Sequence, residues 1–430
     1  MNNKHDNIIK RKLINEIREH LNKKEITLIV GARQVGKTTL MLFLEKELKQ
    51  RGKKTLYLNL DREVDKKYFT SQENLINKIR LEIGNQKGFV FIDEIQRKEN
   101  AGLFLKGVFD YNLPYKFIIS GSGSLELKEK IHESLIGRKR TFELNPVSFE
   151  EFINFKTHYR YENNLKDFFS IETEKREILL KEYLNYGGYP RVITAESEKE
   201  KRAIIDEIFH SYLEKDISYL LNIKKIEAFS DIVRIIASQL GRLVNYSKIS
   251  SEVNISVVSL KNYLWYAEKT FVLQKLTPYF TNPRKEIVKT PIYYFHDIGL
   301  RNYSIGMFGN LIDYGAVFEN LVLNTIKEKI KLSGISVHFY RTKDKAEVDF
   351  ILNAGEKVIP IEVKYRKIKK PVLERSMKSF IEKYSPLKTI IINLSFKEKI
   401  KVGNTEVLFI PFWDIVGEYY EILNNLFYYF

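Results

Sequence analysis

Short apolar runs alternate with longer amphipathic stretches through the first third of the chain. The run Ile26–Val30 is apolar and partly β-branched, with charged residues before it, which is typical of a buried parallel strand. A helix-like stretch follows it, and four further strand-like runs come later: Thr55–Leu60, Gly88–Ile92, Tyr115–Ser120 and Thr141–Leu144. This alternation predicts an α/β fold with a parallel sheet and helices on both faces.

A glycine-rich loop joins the first strand to its helix. The segment Gly31–Thr39 reads GARQVGKTT and fits G-x-x-x-x-G-K-[ST] in the strand–loop–helix context of a phosphate-binding loop. The backbone N–H groups of such a loop wrap around phosphates, and the helix adds its positive end. Lys37 would reach the β/γ-phosphates and Thr38 would bind Mg²⁺. We therefore predict ATP and Mg²⁺ as cofactors, with nucleotide-binding residues Gly31, Gly36, Lys37, Thr38 and Thr39.

The third strand-like run ends in two acidic residues, Asp93 and Glu94. Asp93 would hold Mg²⁺ through water, and Glu94 would polarise the attacking water. The adjacent pair favours ATP hydrolysis over a kinase reaction. Ser120, at the tip of the next strand, or Ser122 beyond it, is a candidate for sensing the γ-phosphate, and an ordinary Gly/Ser turn is the alternative interpretation.

Composition and charge indicate the class of protein, its cellular location and the kind of partner it binds. The chain has 430 residues, of which 44% are hydrophobic and 29% charged, so we expect a soluble chain with several folded domains. It contains no cysteine, no signal-like segment and no apolar run long enough for a bilayer, so we expect a cytoplasmic protein without a membrane partner. The net charge of +16 favours a polyanion such as DNA, and a lysine-rich composition set by an AT-rich genome would give the same charge.

The middle of the chain contains three helical patterns followed by two short strands. Apolar spacing predicts helices over Glu227–Leu240, Ser247–Val253 and Ser256–Thr270, before strands at Phe271–Leu276 and Ile292–Phe295. This is the order of a winged helix. Its third helix would present Ser259, Lys261 and Asn262, and its wing Arg284 and Lys285. Such a module contacts either DNA or protein, and the sequence leaves both open.

Acidic residues recur in the last third at spacings that suggest a shared site. Glu319 lies on a helix-like run, and Asp349 lies on an alternating strand-like run. A turn signal at Asn353–Glu356 leads to a second alternating run, which places Glu362 and Lys364 on one face. A solvated strand face would show the same alternation.

Several motifs, taken in order, resemble a known family. They are GARQVGKTT, FIDEIQ, SGSGS, GRKRTFELNPVSFEEF, NYGGYP at Asn185–Pro190, FHDIGL at Phe295–Leu300, GAVFENLV at Gly315–Val322 and RTKDKAEVDFIL at Arg341–Leu352. Together they resemble bacterial and archaeal AAA-like ATPases that carry a C-terminal domain of unknown function. The resemblance covers nearly the whole chain and implies ATP binding, without defining a biological task.

Two site hypotheses follow from resemblance. The helix Glu, strand Asp, turn and Glu-x-Lys series resembles the PD-(D/E)xK nucleases, although Val348 stands where that superfamily has its proline. The likeness implies a metal held by Glu319, Asp349 and Glu362, with Lys364 activating water. In AAA-type ATPases an arginine just before the fifth strand enters a neighbour's ATP site, a position that fits Arg138 or Arg140. That role would imply a homo-oligomer, whereas a solvated or strand-capping arginine would not.

The expected organisation has four parts. They are an ATPase domain at 1–150, a helical lid or linker at 151–225, a winged-helix-like domain at 226–295 and a nuclease-like α/β domain at 296–430. The favoured function is a DNA-associated ATPase that controls a metal-dependent nuclease-like domain. The alternatives are a nucleotide-controlled signalling switch whose C-terminal half binds a partner without cleaving, and an ATP-dependent transcription regulator.

Overall fold

The first part of the chain forms a parallel five-stranded sheet. The computed structural model describes residues 8–122, 134–213, 217, 226–280, 290–342 and 346–416. The sheet has the order β2-β3-β4-β1-β5, so β1, which leads into the glycine-rich loop, lies between β4 and β5. The strands are β1 Ile26–Gly31, β2 Thr55–Asn59, β3 Gly88–Asp93, β4 Tyr115–Ser122 and β5 Lys139–Glu143.

Apolar side chains cover both faces of this sheet. Strands β1 and β3 are buried along their whole length, as expected for central strands between two helical layers. Helices occupy the crossovers that join β1 to β2, β2 to β3 and β3 to β4. The helices of this part are α1 Leu13–His20, α2 Lys37–Gln50, α3 Glu63–Lys66, α4 Gln72–Ile83 and α5 Ala101–Asp110, with 3₁₀ turns at Lys67–Phe69 and Ile95–Arg97.

A helical region follows the sheet and ends in a short hairpin. Ser256 caps α13, Val257–Lys269, by accepting a hydrogen bond from the Ser259 N–H. Strands β6 and β7 pair in antiparallel fashion, and Leu243 bridges to Ile292 on the outer side of β7. The elements are α6 Phe149–Lys156, α7 Leu165–Ile171, α8 Thr173–Tyr186, α9 Pro190–Thr194, α10 Glu198–Ser211, α11 Ile226–Ser238, α12 Tyr246–Glu252, α13 Val257–Lys269, β6 Leu273–Leu276 and β7 Ile292–Phe295.

A six-stranded mixed sheet makes up the last third, with the order β12-β13-β11-β10-β9-β8. Helix α15 carries Glu319 and packs on this sheet, while α14 packs on α8, α10 and α11 of the helical region. The elements are α14 Ile298–Ser304, α15 Gly315–Ile330, β8 Ser336–Arg341, β9 Glu347–Ala354, β10 Lys357–Val363, α16 Arg375–Tyr384, β11 Lys388–Asn393, β12 Glu398–Val402 and β13 Thr405–Pro411, then a 3₁₀ turn at Phe412–Ile415.

Some sequence expectations differ from this arrangement. The alternation of apolar and acidic residues over Phe409–Phe430 predicts a helix, but Phe409 lies in β13, because Thr405–Pro411 pairs with β11 on one side and β12 on the other. The remainder of that segment, residues 417–430, lies outside the described residues, as do the predicted wing residues Arg284 and Lys285. Helix α14, which follows the expected boundary at residue 296, packs on the helical region, and that boundary stays a prediction. No helix in the described ranges has the length and apolar character needed to cross a membrane.

Candidate functional site

The glycine-rich loop lies at the carboxyl end of β1, between the sheet and α2. A side chain on Gly31 would place its Cβ 2.2 Å from the Leu144 carbonyl oxygen, so only glycine fits there. Gly36 has φ 99°, a left-handed value that glycine adopts without cost. The Lys37 Nζ atom donates to the carbonyl oxygens of Gly31 at 3.1 Å and Ala32 at 2.8 Å, inside the curve of the loop. The Lys37 ammonium is therefore held against the loop by two of the loop's own carbonyl groups.

Asp93, at the end of β3, joins the loop to the neighbouring strands. Its carboxylate accepts hydrogen bonds from the Thr38 hydroxyl at 2.8 Å and from the Tyr57 hydroxyl at 2.8 Å. The Ser120 hydroxyl at the end of β4 also donates to it. Asp93 is fully buried, so these donors replace the water that an exposed carboxylate would bind. Three predicted site residues, Thr38, Asp93 and Ser120, thus lie in direct contact.

Glu94 follows Asp93 in a left-handed backbone conformation, with φ 59°. Its backbone N–H donates to the Asp93 carboxylate at 3.1 Å and to the Ser120 hydroxyl at 3.3 Å, and its own carboxylate accepts from the Gln96 amide. Burial raises the pKa of Glu94, and the nearby Lys37 ammonium acts in the opposite direction. A carboxyl group with a raised pKa at a strand end, beside a phosphate loop, suits the polarisation of an attacking water.

Thr38 and Asp93 fit the magnesium ion that a phosphate-binding loop normally uses. A threonine hydroxyl and a carboxylate oxygen, 2.8 Å apart at the mouth of the loop, are the oxygen donors that Mg²⁺ prefers. When bound, the ion would neutralise charge on the β- and γ-phosphates. Thr39 follows on α2, beyond this hydrogen-bonded set.

Helix α9 of the helical region also contacts the glycine-rich loop. The Arg191 guanidinium on α9 donates to the Gln34 side chain of the loop at 2.9 Å and to Glu207 on α10 at 2.8 Å. Pro190 lies beside Gly36, since a Cβ built there would be 3.9 Å from its Cγ. The breaker cluster Gly187–Pro190 predicts a turn near the nucleotide or between domains, or else a plain turn, and here the NYGGYP segment lies against the glycine-rich loop.

Arg138 lies at the far edge of the parallel sheet from the loop. It precedes β5, its carbonyl accepts from the Ile26 N–H at the start of β1, and its side chain pairs with Asp110 at 2.9 Å. Arg140, two residues later, stacks over the Phe142 ring. Because the loop is at the opposite end of β1, neither arginine can reach the phosphate site of its own chain.

The acidic residues of the C-terminal third lie near one another but are individually engaged. Asp349 on β9 accepts from the Val363 N–H of β10 at 2.7 Å, and Glu319 on α15 accepts from the Tyr294 hydroxyl. Lys364 pairs with Glu362 at 2.6 Å and with Glu374 at 2.6 Å. Burial raises the pKa of Asp349 well above its usual range, with repulsion from Glu319 adding to the rise, and burial raises the pKa of Glu319 to about 7.

The predicted metal set of Glu319, Asp349 and Glu362 is not assembled in this arrangement. Over the described residues, no group of three or more His, Cys, Asp or Glu side chains is positioned to hold a metal ion. Each of the three carboxylates instead has a partner of its own, namely the Tyr294 hydroxyl for Glu319, the Val363 N–H for Asp349 and the Lys364 ammonium for Glu362. Lys364 also contacts Glu374, so its ammonium lies between two carboxylates.

Comparison with known proteins bears on the two halves differently. Residues 23–153 match an AAA domain. This AAA-like P-loop domain contains the loop, Asp93, Glu94 and Ser120. Residues 177–310 and 314–413 match two models, each described as a domain of unknown function, DUF8612 and DUF4143. The second of these begins after α14, in agreement with the packing of that helix on the helical region.

Relatives with similar length exist in archaea and bacteria. An uncharacterised protein of Methanocaldococcus jannaschii is 28% identical over 421 residues, covering 94% of this chain and 91% of that protein. One of Haemophilus influenzae is 25% identical over 404 residues, covering 90% and 94%. Among solved structures, the Aeropyrum pernix Orc1 protein in complex with DNA aligns over 75% of this chain and 95% of that one, with 11% identity and a TM-score of 0.29, too low to bear on function.

Two residues that contact the candidate site were not predicted from the sequence. Tyr57 on β2 donates to Asp93, and Arg11, which precedes the matched segment, donates to the Val35 carbonyl at 2.9 Å. Tyr57 alternates within an ordinary strand, and Arg11 belongs to a basic stretch, so neither stands out locally. Tyr57 reaches the site because β2 pairs with β3. Arg11 reaches it because the segment before α1 packs against the loop.

Proposed function

We propose that this protein hydrolyses ATP at the glycine-rich loop of its AAA domain. The observation that carries the proposal is the direct contact of Asp93 with both Thr38 and Ser120. This contact brings the glycine-rich loop together with the carboxyl ends of β3 and β4. In this proposal Lys37 exchanges its carbonyl partners for the β- and γ-phosphates. Glu94 polarises the attacking water, and the Ser120 hydroxyl follows the position of the γ-phosphate.

Two substitutions test this assignment. Glu94→Gln keeps the size and hydrogen bonding of the side chain but removes the carboxylate, so ATP should still bind while turnover falls at least about 100-fold. Lys37→Ala should lose nucleotide binding itself. Steady-state phosphate release and equilibrium binding of a fluorescent ATP analogue separate the two effects. Full turnover by Glu94→Gln would remove Glu94 from the mechanism.

We also propose that α11–α13 with β6 and β7 act as a winged helix that contacts DNA. Three helices followed by an antiparallel hairpin, with the Leu243 bridge beside β7, have the order of that module. Helix α13 exposes Lys261 and Asn262, and Lys261 lies over the Tyr246 ring. Together with the net charge of +16, this surface suits a phosphate backbone.

Salt dependence distinguishes this role from protein docking. DNA affinity should fall steeply between 50 and 200 mM salt, roughly tenfold or more for a few phosphate contacts. Lys261→Glu should weaken binding, whereas Lys378→Glu, the same charge change at an exposed position on α16, should not. Absence of any DNA binding at low salt would favour the signalling switch.

A metal-dependent nuclease is a second candidate for the C-terminal sheet. Asp349 and Glu362 lie on neighbouring strands, and Lys364 contacts Glu362, which is the element order of the nuclease-like motif. Since the carboxylates are not assembled here, activity would require the Tyr294 and Lys364 contacts to open. Incubation with linear, circular and single-stranded DNA, Mg²⁺ or Mn²⁺, and ATP tests this against Asp349→Ala/Lys364→Ala. DNA binding without cleavage would favour the regulator.

A further inference from the structure

A buried arginine outside the matched AAA segment contacts the glycine-rich loop. Arg11 precedes α1 and is 9% exposed. Its Nη1 donates to the Val35 carbonyl at 2.9 Å, and its Nη2 donates to the Asn145 carbonyl at 2.6 Å and the Pro146 carbonyl at 3.3 Å. The guanidinium therefore connects the loop to the segment that links β5 to α6.

Glu151 fixes the orientation of this guanidinium. Its Oε2 atom accepts from Arg11 Nε at 3.0 Å and from the Ser148 N–H at 3.0 Å, where it completes the capping box of α6. Its Oε1 atom accepts from the Lys12 N–H at 2.7 Å. A buried, paired arginine with a planar fork of donors has little rotational freedom, so it presents a fixed donor to Val35.

The contact with Val35 has a consequence for the next peptide N–H. The Val35 carbonyl and the Gly36 N–H belong to one trans peptide group, and in such a group the two bonds point in opposite directions. Because the Val35 carbonyl is held against Arg11, the Gly36 N–H is directed away from Arg11. Inward-pointing N–H groups are what such a loop uses to bind phosphates.

We propose that Arg11 is a positioning residue for phosphate binding, which acts by holding the Val35–Gly36 peptide with its N–H directed at the nucleotide. The inference rests on the proposed ATPase function and extends its site to a residue before position 23, where the AAA match begins. Arg11 does not touch the phosphates. It sets the direction of a group that does.

Kinetics of full-length variants test this role. Arg11→Lys keeps the charge and the pairing with Glu151 but replaces the planar fork by a single ammonium, and Arg11→Met removes both. Loss of one oriented phosphate contact should raise KM for MgATP about tenfold in Arg11→Lys, with a smaller change in kcat. A merely structural role would lower the active fraction, and hence the apparent kcat, at unchanged KM.

Lys10→Met is the matched control, because Lys10 ties the same segment to Glu162 without reaching the loop. It should leave KM unchanged. Thermal unfolding without nucleotide identifies variants that are not folded, and if Arg11→Met fails to fold, Arg11→Lys decides the matter. An unchanged KM in folded Arg11→Lys overturns the inference, whereas a wild type that does not bind ATP overturns the proposed function instead.

Discussion

His20, on α1, is a buried imidazole held in its neutral form. Its Nδ1 atom lies 2.8 Å from the Thr27 hydroxyl and 3.2 Å from the Lys116 ammonium. A ring nitrogen beside an ammonium must accept, so a proton at Nδ1 would replace an attraction by a repulsion. Burial, together with the Lys116 charge, lowers the pKa of His20 to about 4 from 6.5.

This shift predicts that His20 makes folding pH-dependent. The unfolded chain binds a proton to His20 below pH 6.5, and the folded chain does so only near pH 4. The free energy of unfolding should therefore be fully retained above pH 6.5 and fall by about 3 kcal/mol as the pH drops to 4. His20→Gln should flatten this part of the urea-unfolding profile. An unchanged slope in His20→Gln would contradict the assignment.

At the scale of elements, the turn between α8 and α9 joins separate parts of the chain. The Gly188 N–H donates to the buried Asp297 carboxylate at 2.7 Å, and its carbonyl accepts from the Val147 N–H at 2.8 Å. Gly187 has φ 76°, and a Cβ there would lie 2.3 Å from the Gly299 nitrogen. The turn thus requires glycine both for its backbone conformation and for the close approach of α14.

Gly187→Ala should therefore destabilise the protein more than strain alone predicts. Gly355 has nearly the same φ, 77°, but nothing within 4 Å of its Cβ position, so Gly355→Ala measures the backbone cost by itself. We expect about 1 kcal/mol for Gly355→Ala and at least about 3 kcal/mol for Gly187→Ala. Denaturant unfolding of the two variants beside wild type gives both values. Equal losses would show that the packing of α14 yields to the added methyl group.

What the sequence could predict at this scale depended on local signals. The glycine-rich loop and the acidic end of β3 follow from residue type and spacing within short segments, and there the geometry places Thr38, Asp93 and Ser120 together. Phe409 was assigned to a helix although Thr405–Pro411 alternates buried and half-buried residues over most of its length, because its partners β11 and β12 are not apparent from the segment itself. The engagement of Glu319 by Tyr294 depends on a hairpin twenty-five residues away in sequence.

At the scale of the whole molecule, the position of Arg138 bears on assembly. Arg138 lies at the end of β1 opposite to the loop of its own chain. If Arg138 contributes to hydrolysis, it therefore acts at the ATP site of another copy of the chain. Residues 123–133, which lead to it, fall outside the described part of the structure. The trans role of Arg138 therefore stays a prediction, and one that mixing of variants can test.

Mixing Lys37→Ala with Arg138→Ala should restore ATP hydrolysis that each variant lacks. The first keeps its arginine but loses its phosphate site, and the second keeps the site but loses the arginine. A mixed assembly would combine an intact site with an intact arginine, worth about 10³-fold or more in rate. Phosphate release is measured for each variant alone and for the equimolar mixture. Normal hydrolysis by Arg138→Ala alone, or no gain on mixing, would remove the trans role.

Helix α15 spans the distance between the two halves of the molecule. At one end the Lys329 ammonium donates to Glu150 on α6 at 3.2 Å, beside the Glu151 that holds Arg11, and toward the other end Glu319 meets the Tyr294 hydroxyl. Lys329 is ten positions beyond Glu319, which corresponds to about 15 Å along the helix axis. A tilt of about 5° at the Lys329 end would carry Glu319 through about 1 Å, enough to break a hydrogen bond. Helix α15 therefore connects the Lys329–Glu150 contact directly to the Glu319–Tyr294 contact.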